Sequence, residues 1–113
     1  MGKSNLPEIN HVGEKLVEKW LFDNGYSSII KEDIQLNETA FHATGQFQNI
    51  LVKVKTVVHP NRPFKLSDYD IDILCRRGIK LNLVPYVAYL VIDNDGNLVG
   101  EITWERLSRK FIL

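Results

Sequence analysis

Apolar residues near the beginning of the chain recur at helical spacing. Leu16 and Trp20 lie four positions apart, and the apolar residues around them form one stripe along residues 10–24. This spacing predicts an amphipathic helix, because positions three or four apart share one helix face. Asn10 suits the N-cap, and Gly25 is expected to end the helix because glycine takes the left-handed conformation without strain.

The pattern then changes to alternation, which predicts strands. Three consecutive strands are predicted, over residues 29–36, 40–48 and 50–57. The connection between the second and the third is very short, which favours a tight hairpin. A nearly unbroken apolar run at 86–92 is typical of a central strand covered on both faces, and residues 98–102 are predicted to return beside it as an edge strand.

Two further helices are predicted in the second half of the chain. Ser67 is a typical N-cap for a helix over residues 67–77, and Gly78 is expected to end it. Thr103 can serve as a cap in the same way, so a short final helix containing Trp104 is predicted to follow the edge strand. The predicted order is therefore helix, three strands, helix, two strands and a short helix.

The composition is that of a soluble globular domain. The chain has 113 residues, of which 44% are hydrophobic and 25% charged. We predict one domain over residues 1–113, with a loose N-terminal arm at residues 1–10. No apolar run approaches the roughly 20 residues that a membrane-spanning helix needs, so no membrane association is expected. Cys75 is the single cysteine, which excludes an internal disulfide and fits the reducing cytoplasm.

Charge is balanced overall but uneven along the chain. The formal net charge at pH 7 is zero, yet residues 53–80 carry seven basic and three acidic side chains. A local basic segment favours phosphate binding, because the electrostatic field depends on where charges lie as well as on their sum. The alternative is an ordinary solvated face. The residues predicted to contact phosphates are Lys53, Lys55, Arg62, Arg76, Arg77 and Lys80.

The second and third predicted strands carry the most informative pattern of the chain. His42 lies on the second strand, and the third contains Lys53, Val54, Lys55 and Thr56. This stretch resembles the catalytic hairpin of the PD-(D/E)xK nuclease superfamily, in which the first strand bears an Asp and the second bears Glu-x-Lys. Lys55 and Thr56 match that pattern. Lys53 stands at the Glu position and His42 at the closest position to the Asp, so the resemblance implies a degenerate active site.

The resemblance covers roughly residues 11–92 and is closest to minimal Holliday-junction-resolvase-type domains. The opening helix of that family bears a Glu, which Glu14 matches. The resemblance implies an α/β (α+β) fold with a restriction-endonuclease-like core, that is, a central mixed β-sheet of about five strands flanked by helices. It also implies that Glu14, His42, Lys53 and Lys55 are remnants of a catalytic site.

The replaced residues argue against a metal site. Active members of the superfamily hold Mg²⁺ through acidic oxygens, and Mg²⁺ is a hard ion that requires such ligands. Lys53 instead places a cation where the ion would lie, and the nitrogen ligand of His42 does not suit Mg²⁺. We therefore predict no metal, no cofactor and no assigned catalytic residue, and the residues weigh against enzymatic activity.

Three functions are compatible with the sequence. The favoured one is a nuclease-like domain that binds DNA or RNA and has lost metal-dependent cleavage. The second is a protein-interaction or homodimerisation module with no role in nucleic-acid binding. The third is an active Mg²⁺-dependent DNA endonuclease with a rearranged site, which would use Glu14, Lys55 and a carboxylate from elsewhere in the chain.

Each candidate residue also has an ordinary structural interpretation. His42 is then an exposed strand residue, Glu14 a surface residue of a charged helix, and the two lysines part of a solvated strand face. The large aromatic residues are expected in the core or at its edge rather than against nucleobases. These residues are Trp20, Tyr69, Tyr86 and Tyr89.

Overall fold

The computed structural model describes residues 9–35 and 38–108, with the backbone alone at 33–35 and 38. Residues 1–8 of the predicted arm (1–10) lie outside the described residues, whereas residues 9 and 10 belong to the first helix, so the arm is shorter than predicted. The described elements, in chain order, are α1 (Ile9–Asp23), β1 (Ser27–Gln35), β2 (Glu38–Thr44), β3 (Asn49–Val58), α2 (Asp68–Leu81), β4 (Val84–Ile92) and β5 (Thr103–Arg106). Neither of the described helices is long and apolar enough to cross a membrane.

The five strands form one mixed sheet in the order β1-β2-β3-β4-β5. β3 and β4 are parallel, with Lys53 beside Val87 and Lys55 beside Tyr89. The other neighbouring strands are antiparallel. A parallel pair needs a crossover connection, which α2 provides here. The predicted α+β fold, with a mixed five-stranded sheet flanked by helices, is confirmed.

The sheet separates two apolar clusters, one under each helix. Leu21 of α1 belongs to the cluster that includes Val52 of β3. Leu74 and Cys75 of α2 belong to the other cluster, which includes Leu51. Because successive strand residues face opposite sides of a sheet, β3 and β4 are covered on both faces. This double burial explains the apolar run that predicted a central strand.

α1 approaches β3 closely at Gly13. A Cβ atom added at this position would overlap Thr56 Oγ1 and would lie 2.8 Å from Thr56 Cβ. The helix can lie this near the strand because glycine has no side chain. Thr56 Oγ1 is buried and has no hydrogen-bond partner among the described residues. The contact between helix and strand is therefore tight at this point.

Two of the five residues predicted to mark helix ends, Gly25 and Ser67, are confirmed. Gly25 follows α1 in the left-handed region, with a φ of 89°. Ser67 caps α2, where its Oγ accepts a hydrogen bond of 3.1 Å from the Asp70 N–H. Asn10 lies inside α1 rather than before it, because the helix begins at Ile9.

α2 is longer than predicted. Gly78 does not end the helix, which continues to Leu81. Asn82 takes the left-handed conformation at the end, with a φ of 59°, and its N–H bonds to carbonyl groups of the last turn. Gly78 has a packing role instead, since a Cβ there would lie 2.6 Å from the Leu83 carbonyl oxygen.

The prediction for the C-terminal part is wrong. Residues 98–102 contribute one isolated bridge and no strand. The strand lies at Thr103–Arg106, where a helix was expected, and pairs antiparallel with β4. Alternation explains this outcome, because Trp104 packs on the α1-side cluster while its neighbour Glu105 meets Tyr89 on the other face.

Three aromatic side chains are exposed, and for one of them, Tyr69, this differs from the expectation. Phe47 falls beyond the end of β2, in the turn before β3, and is 91% exposed. Trp20 is 36% exposed, so it lies at the edge of the core rather than inside it. Tyr69, in the first turn of α2, is 70% exposed, and its assignment to the core is wrong. Tyr86 and Tyr89 are half-buried, as predicted.

Candidate functional site

β2 leaves β3 part-way along the sheet. The pairing between these strands ends at Phe41–Val52, whereas β2 continues to pair with β1 as far as Gln35–Glu38. Within the described chain, the part of β3 after Val52 therefore has no partner from β2. A cleft of about 220 Å³ opens beside this part of β3.

The cleft lies between the first turns of both helices. It is lined by residues 53–56 of β3, by Asn10 of α1, and by Leu66 and Asp70 around the start of α2. The first turn of a helix presents backbone N–H groups that lack intrahelical partners, and it carries a partial positive charge. On α2, the carboxylate of Asp70 opposes part of this charge.

Lys53 and Lys55 are the basic residues among those lining the cleft. They share the sheet face toward α2, because residues two apart on a strand point the same way. Lys53 is only 8% exposed, so its interpretation as part of a solvated strand face is wrong, and Lys55 is half-buried. Asp70 supplies the one carboxylate of the described lining, which therefore carries a net positive charge.

Glu14 belongs to α1 and lies across the sheet from the two lysine side chains. It is 7% exposed, so its interpretation as a surface residue is wrong. Its carboxylate accepts hydrogen bonds of 2.8 Å from Lys31 Nζ and 2.9 Å from Thr39 Oγ1. Glu14 thus joins α1 to the β1–β2 hairpin, and it is absent from the described lining of the cleft.

His42 faces the α2 side of the sheet but takes part in a different cluster. It is half-buried rather than exposed, and its Nε2 lies 2.7 Å from Glu32 Oε1. Arg77 donates two hydrogen bonds of 3.0 Å to the Glu32 carboxylate, from Nε and Nη2. Chiefly through these bonds, Arg77 holds the pKa of Glu32 below its ordinary value. The Arg77 guanidinium is thus tied to β1.

The remaining basic candidates lie elsewhere. Arg76 Nε contacts Asp72 Oδ2 at 2.8 Å along α2. Lys80 is exposed near the end of the same helix. Arg62 lines a second cleft of about 570 Å³. The six residues predicted to contact phosphates therefore do not form one patch, and only the two lysines of β3 are found in the described lining of the first cleft.

The second cleft lies on the α2 side of β4 and β5. Tyr89 Oη accepts a hydrogen bond of 3.3 Å from the Leu66 N–H and donates one of 3.4 Å to Glu105 Oε1. Burial, reinforced by the nearby Glu105 carboxylate, raises the pKa of Tyr89. Lys65 Nζ lies 3.7 Å from Glu105 Oε2. These contacts fasten the segment before α2 to the sheet.

The donor groups of the first cleft do not suit a divalent metal ion. The described residues include no group of three or more His, Cys, Asp or Glu side chains that could hold a metal. Mg²⁺ prefers several oxygen ligands, and the described lining offers one carboxylate beside two ammonium groups. The arrangement favours an anion over a cation.

The sequence identifies the two lysines of the cleft but not its other walls. Asn10 and Asp70 have clear local roles as residues of helix starts, and no spacing links either of them to residue 53. They meet β3 only because both helices begin at the same end of the sheet. No family model matches the chain, and no curated protein shows significant sequence similarity to it.

Proposed function

We propose that the protein binds nucleic acid, DNA or RNA, at the cleft between the starts of α1 and α2, and that it does not cleave the bound strand. The observation that carries this proposal is the placement of Lys53 and Lys55 side by side in that cleft. Ammonium groups attract phosphate, and so do the N-terminal turns of helices. A nucleic-acid backbone supplies the matching phosphates in series.

The spacing of the two lysines supports a polymer of phosphates as the ligand. Residues two apart on a strand are separated by about 6.6 Å, so the side chains leave β3 next to each other on one face. The absence of β2 beside this part of β3, within the described chain, leaves room for a strand of nucleic acid to approach. A basic cleft of this kind binds through charge rather than through base sequence.

The proposal includes a relationship to the PD-(D/E)xK superfamily. The order α1, β1, β2, β3, α2, β4 is the order that the resemblance implies. Lys53, which stands at the Glu position, lines the cleft. His42, at the Asp position, is engaged with Glu32 instead. A metal-dependent step is therefore left out of the proposal, because the two acidic ligands that it requires are replaced.

The proposal is tested by measuring the affinity for labelled nucleic acids over a salt series. The probes are duplex, branched and single-stranded DNA, and RNA. Lys55→Met keeps the apolar stem of the side chain and removes its charge. We expect it to lower the slope of log affinity against log salt by about 0.7–0.9, the value of one phosphate contact. Lys53→Met is expected to act in the same direction. Lys15→Met changes an exposed lysine of α1 outside the cleft and is the matched control.

Two results would refute the proposal. One is the absence of salt-dependent binding to every probe, and the other is the same salt slope for Lys55→Met and Lys15→Met. Incubation of the probes with Mg²⁺ or Mn²⁺ tests the statement that the bound strand is not cleaved. Metal-dependent cutting that is lost in Lys55→Met would identify an active nuclease. Thermal unfolding of each variant confirms that it folds, which matters for the buried Lys53.

A further inference from the structure

Two large aromatic side chains are exposed on the chain segment that contributes Leu66 and Asp70 to the cleft. Phe64 is 83% exposed and Tyr69 is 70% exposed. They flank Leu66 in the chain, and Tyr69 directly precedes Asp70, while both Leu66 and Asp70 line the cleft. Exposed aromatic area is unfavourable in water, so two exposed rings on a segment that borders a basic cleft favour a ligand-facing surface there.

The segment that carries the two rings is held in place by residues between them. Leu66 is buried, and its N–H donates to Tyr89 Oη. Ser67 Oγ accepts from the Asp70 N–H, which fixes the first turn of α2. A fixed backbone lowers the conformational entropy that is lost when a ligand covers the rings. The rings are therefore presented from a preorganised support.

The basic residues around the cleft and the two rings indicate the chemical class of the ligand. Lys53 and Lys55 line this cleft beside the Asp70 carboxylate. Arg62 and Lys65, near Phe64 in the chain, are exposed in the lining of the second cleft. A ligand that matches positive charge beside flat apolar rings is a polyanion that carries aromatic groups, which describes nucleic acid. In a duplex the base faces are covered by their neighbours, whereas in a single strand they are free to stack on protein rings.

We infer that the cleft and the two rings together bind single-stranded nucleic acid. The backbone phosphates lie against Lys53 and Lys55, and unpaired bases stack on Phe64 and Tyr69. This inference rests on the proposed function and narrows it from nucleic acid in general to unpaired strands. The phosphate contacts are electrostatic and the stacking contacts are not, so the two contributions respond differently to salt.

Affinities for oligo(dT), oligo(U) and a duplex of equal length, each measured over a salt series, test the inference. Both single strands are expected to bind more tightly than the duplex. Phe64→Ala and Tyr69→Ala are each expected to weaken single-strand binding by about tenfold, the effect of losing one stacked base, and to leave the salt slope unchanged. Phe64→Trp keeps a stacking surface and is expected to retain binding. Phe47→Ala is the matched control, because Phe47 is 91% exposed but lies before the start of β3, away from the cleft.

The outcomes separate this inference from the proposed function. Salt-dependent binding that is as tight for the duplex as for the single strands overturns the inference alone. So does an effect of Phe64→Ala and Tyr69→Ala no larger than that of Phe47→Ala. A lack of salt-dependent binding to all three probes overturns the proposed function and the inference together. This is the result expected if the protein binds another protein and no nucleic acid.

Discussion

Replacement of Gly13 by alanine is expected to destabilise the protein, although alanine is the better helix former. Within a helix this substitution normally stabilises by about 1 kcal/mol. Here the new Cβ would overlap Thr56 Oγ1 and lie 2.8 Å from Thr56 Cβ. Rotation of the Thr56 side chain moves Oγ1 but leaves Cβ in place, because Cβ is bonded to the backbone. α1 and β3 therefore have to separate to admit the added methyl group.

The size of the effect follows from two opposing contributions. Overpacking of this kind costs about 1–3 kcal/mol. The overlap involves an atom attached to the backbone, so we use the upper end of that range, subtract the gain in helix propensity, and expect a net loss of about 2 kcal/mol. For 113 residues the entropy of unfolding is about 0.24 kcal/mol/K, so the melting temperature should fall by about 8 °C.

Thermal and urea unfolding followed by circular dichroism measure this loss. Thr56→Ala removes Oγ1 and Cγ2, so it is expected to relieve part of the overlap and to make the double variant more stable than the two single losses predict. Glu18→Ala, at an exposed position of α1, is the control for an alanine substitution without a packing change. A Gly13→Ala protein as stable as the parent, or one with no coupling to Thr56→Ala, would refute the reasoning.

Two further predictions concern ion pairs of the β1–β2 hairpin. Glu32→Gln removes a carboxyl group whose pKa Arg77 holds below the ordinary value of 4.5. A lowered folded-state pKa gives stability that is present above the unfolded pKa and is lost as the pH falls through the folded one, so urea unfolding should show a flatter acid limb for this variant. Lys31→Ala removes a partner of the buried Glu14 carboxylate and should cost about 1–2 kcal/mol. Lys19→Ala, which breaks an exposed pair, should cost clearly less, and equal losses in chemical denaturation would contradict this.

The sequence predicted those elements whose local pattern admits one interpretation. The apolar stripe of α1 and the run at 86–92 are of this kind, and both were found close to the predicted bounds. Thr103 and Trp104 admit two interpretations, because a capping residue before an amphipathic turn also fits an alternating strand. Pairing of Thr103 with Tyr89 selects the strand, and this partner lies outside any local window.

The candidate site was predictable to a similar extent. Alternation along β3 placed Lys53 and Lys55 on one face, and they line one cleft. The engagement of Arg77 was not predictable, because its partner Glu32 is 45 positions away in the chain. The burial of Glu14 likewise depends on how α1 lies over the hairpin, so a residue that resembles a surface glutamate in the sequence is 7% exposed in the structure.

The departure of β2 from β3 divides the sheet into regions held by different forces. Where the strands pair, apolar burial holds them, whereas the far end of the β1–β2 hairpin is attached to α1 through Glu14 and to α2 through Arg77. Acid and added salt weaken such ionic attachments more than they weaken apolar packing. Native-state hydrogen exchange should therefore accelerate in β1 with ionic strength while β3 and β4 stay protected. We therefore expect two levels of local stability in the molecule. The lower level belongs to the far end of the β1–β2 hairpin and depends on pH and ionic strength.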